Sequence, residues 1–141
     1  MIENYDIAFE LLKKLEGFHS NLKDDPGGNT IVGFSSKFYP AEYAELIKLS
    51  KSGSDVVYCR AKELYKKLFW DKYMCDNLPD KIDILYFLTA VNTPRGQKVM
   101  AFSVGSFENE CLDIINYYFE GNSPYKLGLI GRILHIWRYL K

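Results

Sequence analysis

Residues 84–91, ILYFLTAV, carry no charge, and Thr89 is the one position among them that is neither apolar nor aromatic. A helix apolar on every side has to be surrounded. The uncharged run is far short of the roughly 18 residues that a membrane span requires, so protein must do the surrounding. Taken with its flanks the segment 78–92, LPDKIDILYFLTAVN, is long enough for a helix. It predicts a central helix buried on most sides, and so a mainly α fold in which other helices do the packing.

The rest of the chain supplies them. In residues 4–16, Ile7, Ala8, Leu11, Leu12 and Leu15 form one apolar stripe with Glu10, Lys13 and Lys14 off it, and Gly17 stands where a helix C′ glycine belongs. A helix over residues 40–50 starts on Pro40, a first-turn residue. Ser54 can cap a long helix running to about Tyr73, with Val57, Ala61, Leu64 and Leu68 on one face. Further helices are expected near 94–104, 107–119 and 125–140. His135, Trp137 and Tyr139 in the last of them read as core, and Trp70 and Tyr73 as packing against the 82–91 helix. No repeat, low-complexity tract or linker divides the 141 residues, and a chain of that length buries about two thirds of its unfolded surface. One domain is expected.

Charge and cysteine content remove several function classes. Lys+Arg and Asp+Glu are equal at 18 each, so no net field draws the protein to nucleic acid or an anionic membrane. Cys59, Cys75 and Cys111 lack metal-ligand spacing and are odd in number, which predicts small buried thiols rather than disulfides. The start, MIENYDIAFELLKK, has early acids and no apolar h-region. Synthesis in the cytoplasm without a Sec signal is therefore expected, with any action in the periplasm or cell wall following release or non-Sec export. Asp24 and Asp25 lack the spacing of a calcium loop, and there is no Walker loop, dinucleotide fingerprint or G-x-S-x-G. Neither metal nor cofactor is implied, and a monomer is expected.

Against this helical background residues 15–36, LEGFHSNLKDDPGGNTIVGFSS, stand apart. Pro26-Gly27 suits the centre of a type II turn, and TIVGFSS has the β-branched and aromatic content of a short strand. Glu16 precedes this loop at the end of the first helix, where the negative end of the macrodipole favours the protonated carboxyl. A carboxyl protonated near neutral pH is what a general acid needs, and glycoside hydrolysis uses one to protonate the leaving-group oxygen. Asp25, nine residues on, offers a second carboxylate, and Thr30 a hydroxyl that can position water. The same residues also fit a solvated helix end, an ordinary turn and the start of a strand.

Residues 16–35, EGFHSNLKDDPGGNTIVGFS, resemble the amino-terminal signature of the glycosyl hydrolase 108 family, which runs E-G-G-Y-x-N-x-x-x-D-P-G-G-x-T-x-x-G-I. Glu16, Gly17, Asn21, Asp25, Pro26, Gly27, Gly28, Thr30 and Gly33 match without a gap. Farther on, LYKKLFWDKYMCDNLPDKIDILYFLTAVN is similar to the family's Y-x-x-x-Y-W…L-P…D-x-A-V-N. The resemblance covers about the first 95 residues, which implies a catalytic part at 1–95 and a divergent helical part at 96–141.

It implies a lysozyme-like domain that hydrolyses peptidoglycan glycan strands, with Glu16 as catalytic glutamate and Asp25 and Thr30 as secondary catalytic candidates. Three roles are open to Asp25: holding the attacking water, stabilising an oxocarbenium-like state, or shaping the turn. His19, Asn21 and Asn92 are substrate-binding candidates. The unperturbed pKa of a histidine side chain lies near neutrality, which makes His19 a candidate proton carrier beside Glu16. Asn92 ends a buried helix and needs partners there. The chain departs from the family at Phe18 and His19, in place of Gly and Tyr, and at Leu88 or Thr89, in place of an Asp. A non-catalytic wall-binding protein with an altered cleft is the alternative reading.

Overall fold

A computed structural model of the chain describes residues 2–20, 28–92 and 105–141. The fold is mainly α with one small antiparallel sheet near the amino end, as the periodicity predicts. In chain order it comprises α1 (Ile2–Glu16), β1 (His19–Ser20), β2 (Thr30–Ile31), β3 (Phe34–Ser35), α2 (Pro40–Ser50), α3 (Ser54–Tyr65), a π-helical turn (Lys66–Asp71), a 3-10 turn (Cys75–Asn77), α4 (Ile82–Asn92), α5 (Phe107–Glu120) and α6 (Lys126–Leu140). The helix expected near 94–104 and the turn at Pro26-Gly27 lie outside the described residues. The chain gathers into two compact units, Met1–Ala8 with Phe69–Lys141, and Phe9–Leu68.

In the first unit α4 behaves as its composition requires: Asp83, Ile84, Leu85, Phe87, Leu88, Thr89 and Ala90 are all buried. Trp70 is fully buried, with its ring 5.2 Å from Tyr5 and edge-on to Phe87 at 5.6 Å. Tyr73 meets Tyr86 of α4 edge-on at 6.3 Å, so both aromatic residues pack as expected. The buried face of α1 differs from the expected stripe. Tyr5, Ala8, Phe9, Leu11 and Leu12 are buried while Ile7 is exposed, because the rings at positions 5 and 9 remove more apolar surface than Ile7 and Leu15 would.

The long helix expected from Ser54 to about Tyr73 is also altered. Gly53, at φ +119°, occupies the N-cap, and Ser54 is the first helical residue. After Tyr65 the chain widens into the π-helical turn, whose i→i+5 bonding inserts a residue per turn. That step carries Phe69 and Trp70 inward, and Leu68 is left half-buried. In α6 the buried residues are Ile133 and Ile136. His135 and Tyr139 are exposed and Trp137 is half-buried, so the expected ring stripe is not core.

Asp83 is enclosed at the start of α4, where the Asn4 amide donates to its Oδ2 at 2.8 Å and to Asp80 Oδ1 at 2.9 Å. Burial raises the Asp83 carboxyl above its ordinary range, against the opposing hydrogen bonds from Asn4 and the Ile84 N–H. A carboxyl raised in the folded state makes its full contribution below the unfolded pKa and loses it as pH climbs through the folded one. Asp83→Asn keeps an acceptor and is expected to remove that loss. Urea midpoints of the two proteins, followed upward from about pH 4, should diverge in favour of the variant.

The cysteines divide differently from the uniform burial expected of them. Cys75 and Cys111 are buried and Cys59, on the outer face of α3, is exposed. Burial pushes both enclosed thiols up to about 12. A thiol reagent at neutral pH should therefore modify the native protein at Cys59 alone, and all three thiols after unfolding. Mass spectrometry of the labelled protein reads the count.

Candidate active site

Glu16 is the last residue of α1 and is half-buried. Gly17 follows at φ +66° and closes the helix with an N–H bond of 3.1 Å to Lys13 O, which is the left-handed exit that glycine makes without a Cβ penalty. Two residues later the chain enters β1. His19 pairs with Ile31 and Ser20 with Thr30, and β2 then pairs with β3 through Thr30–Ser35 and Ile31–Phe34. The helix end bearing Glu16 is thus tied to the sheet by only Gly17 and Phe18. That short link fixes where the Glu16 backbone stands beside the sheet.

The register leaves two residues, Val32 and Gly33, to connect β2 with β3, and both have positive φ, +47° and +80°. Such hairpins ordinarily use Asn-Gly or Asp-Gly. The Val32 N–H donates to Phe18 O at 2.6 Å, which extends the β1–β2 ladder back toward Glu16. The Tyr65 hydroxyl donates to Val32 O at 2.8 Å. A Cβ on Gly33 would lie 3.0 Å from Glu16 Cγ and 2.5 Å from the Tyr65 oxygen, so only glycine fits beside the acid.

Phe18 is half-buried with its ring 5.4 Å from Tyr58, edge-on. Lys13 lies over the Tyr58 ring at 5.1 Å and pairs with Glu10 at 2.7 Å. Ser36 N donates to Asn29 O at 2.8 Å and closes the far end of the loop. Among the sequence candidates, Glu16, exposed His19 and half-buried Thr30 come together on α1, β1 and β2. Asn21 and Asp25 lie outside the described residues.

Asn92 belongs to the other unit. Its partners there are Leu88 O, to which it donates at 3.1 Å, and Arg132, which donates to its Oδ1 at 2.7 Å. Leu88 and Thr89 are buried. Among the described residues no group of three or more His, Cys, Asp or Glu could hold a metal ion, and no helix is long and apolar enough to cross a membrane.

The sequence model of the family described as glycosyl hydrolase 108 matches residues 9–93. The chain belongs to that family. As a member it is a glycoside hydrolase, of a family whose activity is directed at peptidoglycan. The matched span contains Glu16, His19, Asn21, Asp25, Thr30 and Asn92, and ends before α5 and α6. Neither a curated protein nor a solved structure matches the chain. Tyr65 and Val32 were not singled out from the sequence; a Tyr in the segment LYKKLFW was the available signal, and its hydroxyl partner lies 33 positions away.

Proposed function

We propose that this glycoside hydrolase is a muramidase, which cuts the β-1,4 bond between the amino sugars of peptidoglycan strands with Glu16 as general acid. The supporting observation is the placement of Glu16: a half-buried residue that ends α1, with its methylenes against the bare backbone of Gly33. Its proton passes to the leaving-group oxygen as the bond to the anomeric carbon breaks. Water then delivers hydroxide to that carbon, and its remaining proton goes to a carboxylate. Asp25 is the proposed second carboxylate, and Thr30, on β2, the hydroxyl that orients the water. His19 and Asn21 are assigned to binding. The site of action is the periplasm or wall, reached after release or non-Sec export.

The reaction is tested on purified Gram-negative peptidoglycan by clearing and by mass analysis of the soluble fragments. Fragments that end in a reducing muramic sugar are expected. Reducing glucosamine ends would overturn the muramidase assignment. A folded wild-type protein that sediments with the wall without clearing it would replace it with the non-catalytic wall-binding reading.

A further inference from the structure

Val32 occupies a conformation that costs energy for its residue type, the first position of the two-residue turn between β2 and β3. It is β-branched, it stands at φ +47°, and it is completely buried; branched residues avoid the left-handed region because Cβ crowds the carbonyl oxygen. Such strain persists only where the surroundings over-determine the backbone, and it gathers at functional sites. Here the N–H is held by Phe18 O and the carbonyl by the Tyr65 hydroxyl. The ring of Tyr65 is accounted for by its contacts with Phe34 at 4.3 Å and Phe9 at 6.2 Å. Its hydroxyl is not, since a phenylalanine would fill the same space.

The next residue shows what the hydroxyl does. Gly33 follows at φ +80°, and its missing Cβ would fall 2.5 Å from the Tyr65 oxygen, 3.0 Å from Glu16 Cγ and 3.4 Å from Glu16 Cβ. Tyr65 and the methylenes of Glu16 therefore close on one backbone carbon. We infer that Tyr65 is a positioning residue for Glu16: by holding the Val32 carbonyl it sets Gly33 as the wall that fixes the Glu16 side chain in one rotamer. This inference rests on the assignment of Glu16 as the acid for its catalytic consequence, but not for its structural one.

Tyr65→Phe in the full chain removes the hydroxyl and keeps the ring. On peptidoglycan kcat is expected to fall about tenfold to a hundredfold with KM within about twofold of wild type, the range a sub-ångström to ångström misplacement of a reacting group produces. Three-bond couplings on labelled protein should show one Glu16 χ1 rotamer in wild type and a mixture in Tyr65→Phe. Gly33→Ala should lose activity in the wild-type background and recover part of it beside Tyr65→Phe, since the added methyl then meets no hydroxyl. In a Glu16→Gln background Tyr65→Phe should cost nothing more.

Unchanged kcat and unchanged couplings in Tyr65→Phe, with Glu16→Gln inactive, would overturn the inference and leave the muramidase reading intact. If wild type cuts no glycan, the muramidase reading falls by itself, and the couplings still decide: a mixed rotamer in Tyr65→Phe supports the positioning role, and an unchanged one removes it. Should Tyr65→Phe fail to fold, Gly33→Ala read by the same couplings gives the same decision.

Discussion

Glu16→Gln is expected to abolish glycan cleavage, with a loss in kcat of at least about 10²–10⁴-fold, the contribution of a positioned general acid. The amide has the size of the carboxyl and keeps the methylenes that lie against Gly33, so neither the α1 exit nor the β2–β3 turn has cause to move. It has no acidic proton to hand to the leaving oxygen. Stability should stay within about 0.5 kcal/mol of wild type, as for substitutions that disturb no packing. Sedimentation with the wall should also persist. Release of reducing ends, followed beside a pelleting assay, separates the two properties. Cleavage at the wild-type rate by Glu16→Gln would remove Glu16 from the chemistry altogether.

The largest effect on stability is expected from Trp70→Ala, at about 3–5 kcal/mol. Trp70 is fully buried, and its ring is met by Tyr5 at 5.2 Å and Phe87 at 5.6 Å. Truncation would open a cavity among these rings and forfeit the bond from the indole N–H to Asp76 Oδ1 at 3.0 Å. Domains hold only about 5–15 kcal/mol in total, so the variant should unfold at a much lower urea concentration. Trp70→Phe, which retains most of the ring, should cost clearly less. Circular dichroism in a urea series measures both, and a loss under about 1 kcal/mol for the alanine variant would contradict the packing described. Trp137, half-buried in α6, remains as a fluorescence probe in either variant.

Several features were legible because they depend on neighbours in sequence. The apolar run of α4, the Pro start of α2 and the glycine exit of α1 each follow from side-chain pattern or φ preference within one or two turns. The position of Glu16 at a helix end was legible for the same reason. The faces were less so. Periodicity marks a stripe without weighing its members, and in α1 it favoured Ile7 over the rings of Tyr5 and Phe9. In α6 it drew the aromatic residues inward, where Ile133 and Ile136 are the buried pair. The π-helical turn escaped for a related reason: one inserted residue leaves composition unchanged and alters only which side chains point inward.

What the sequence by itself determined was the inventory: a mainly helical chain, a sheet-bearing loop after the first helix, an acid at that helix's end, and the spaced residues that place it among the glycosyl hydrolases 108. Only the tertiary structure decided what the acid rests against. Val32 at φ +47° runs against its own preference, so its residue type alone could not have placed it there. The bond that holds it comes from Tyr65, 33 residues on. Local sequence fixes what a segment favours, and long-range contacts fix which disfavoured conformation the whole fold can impose at one turn.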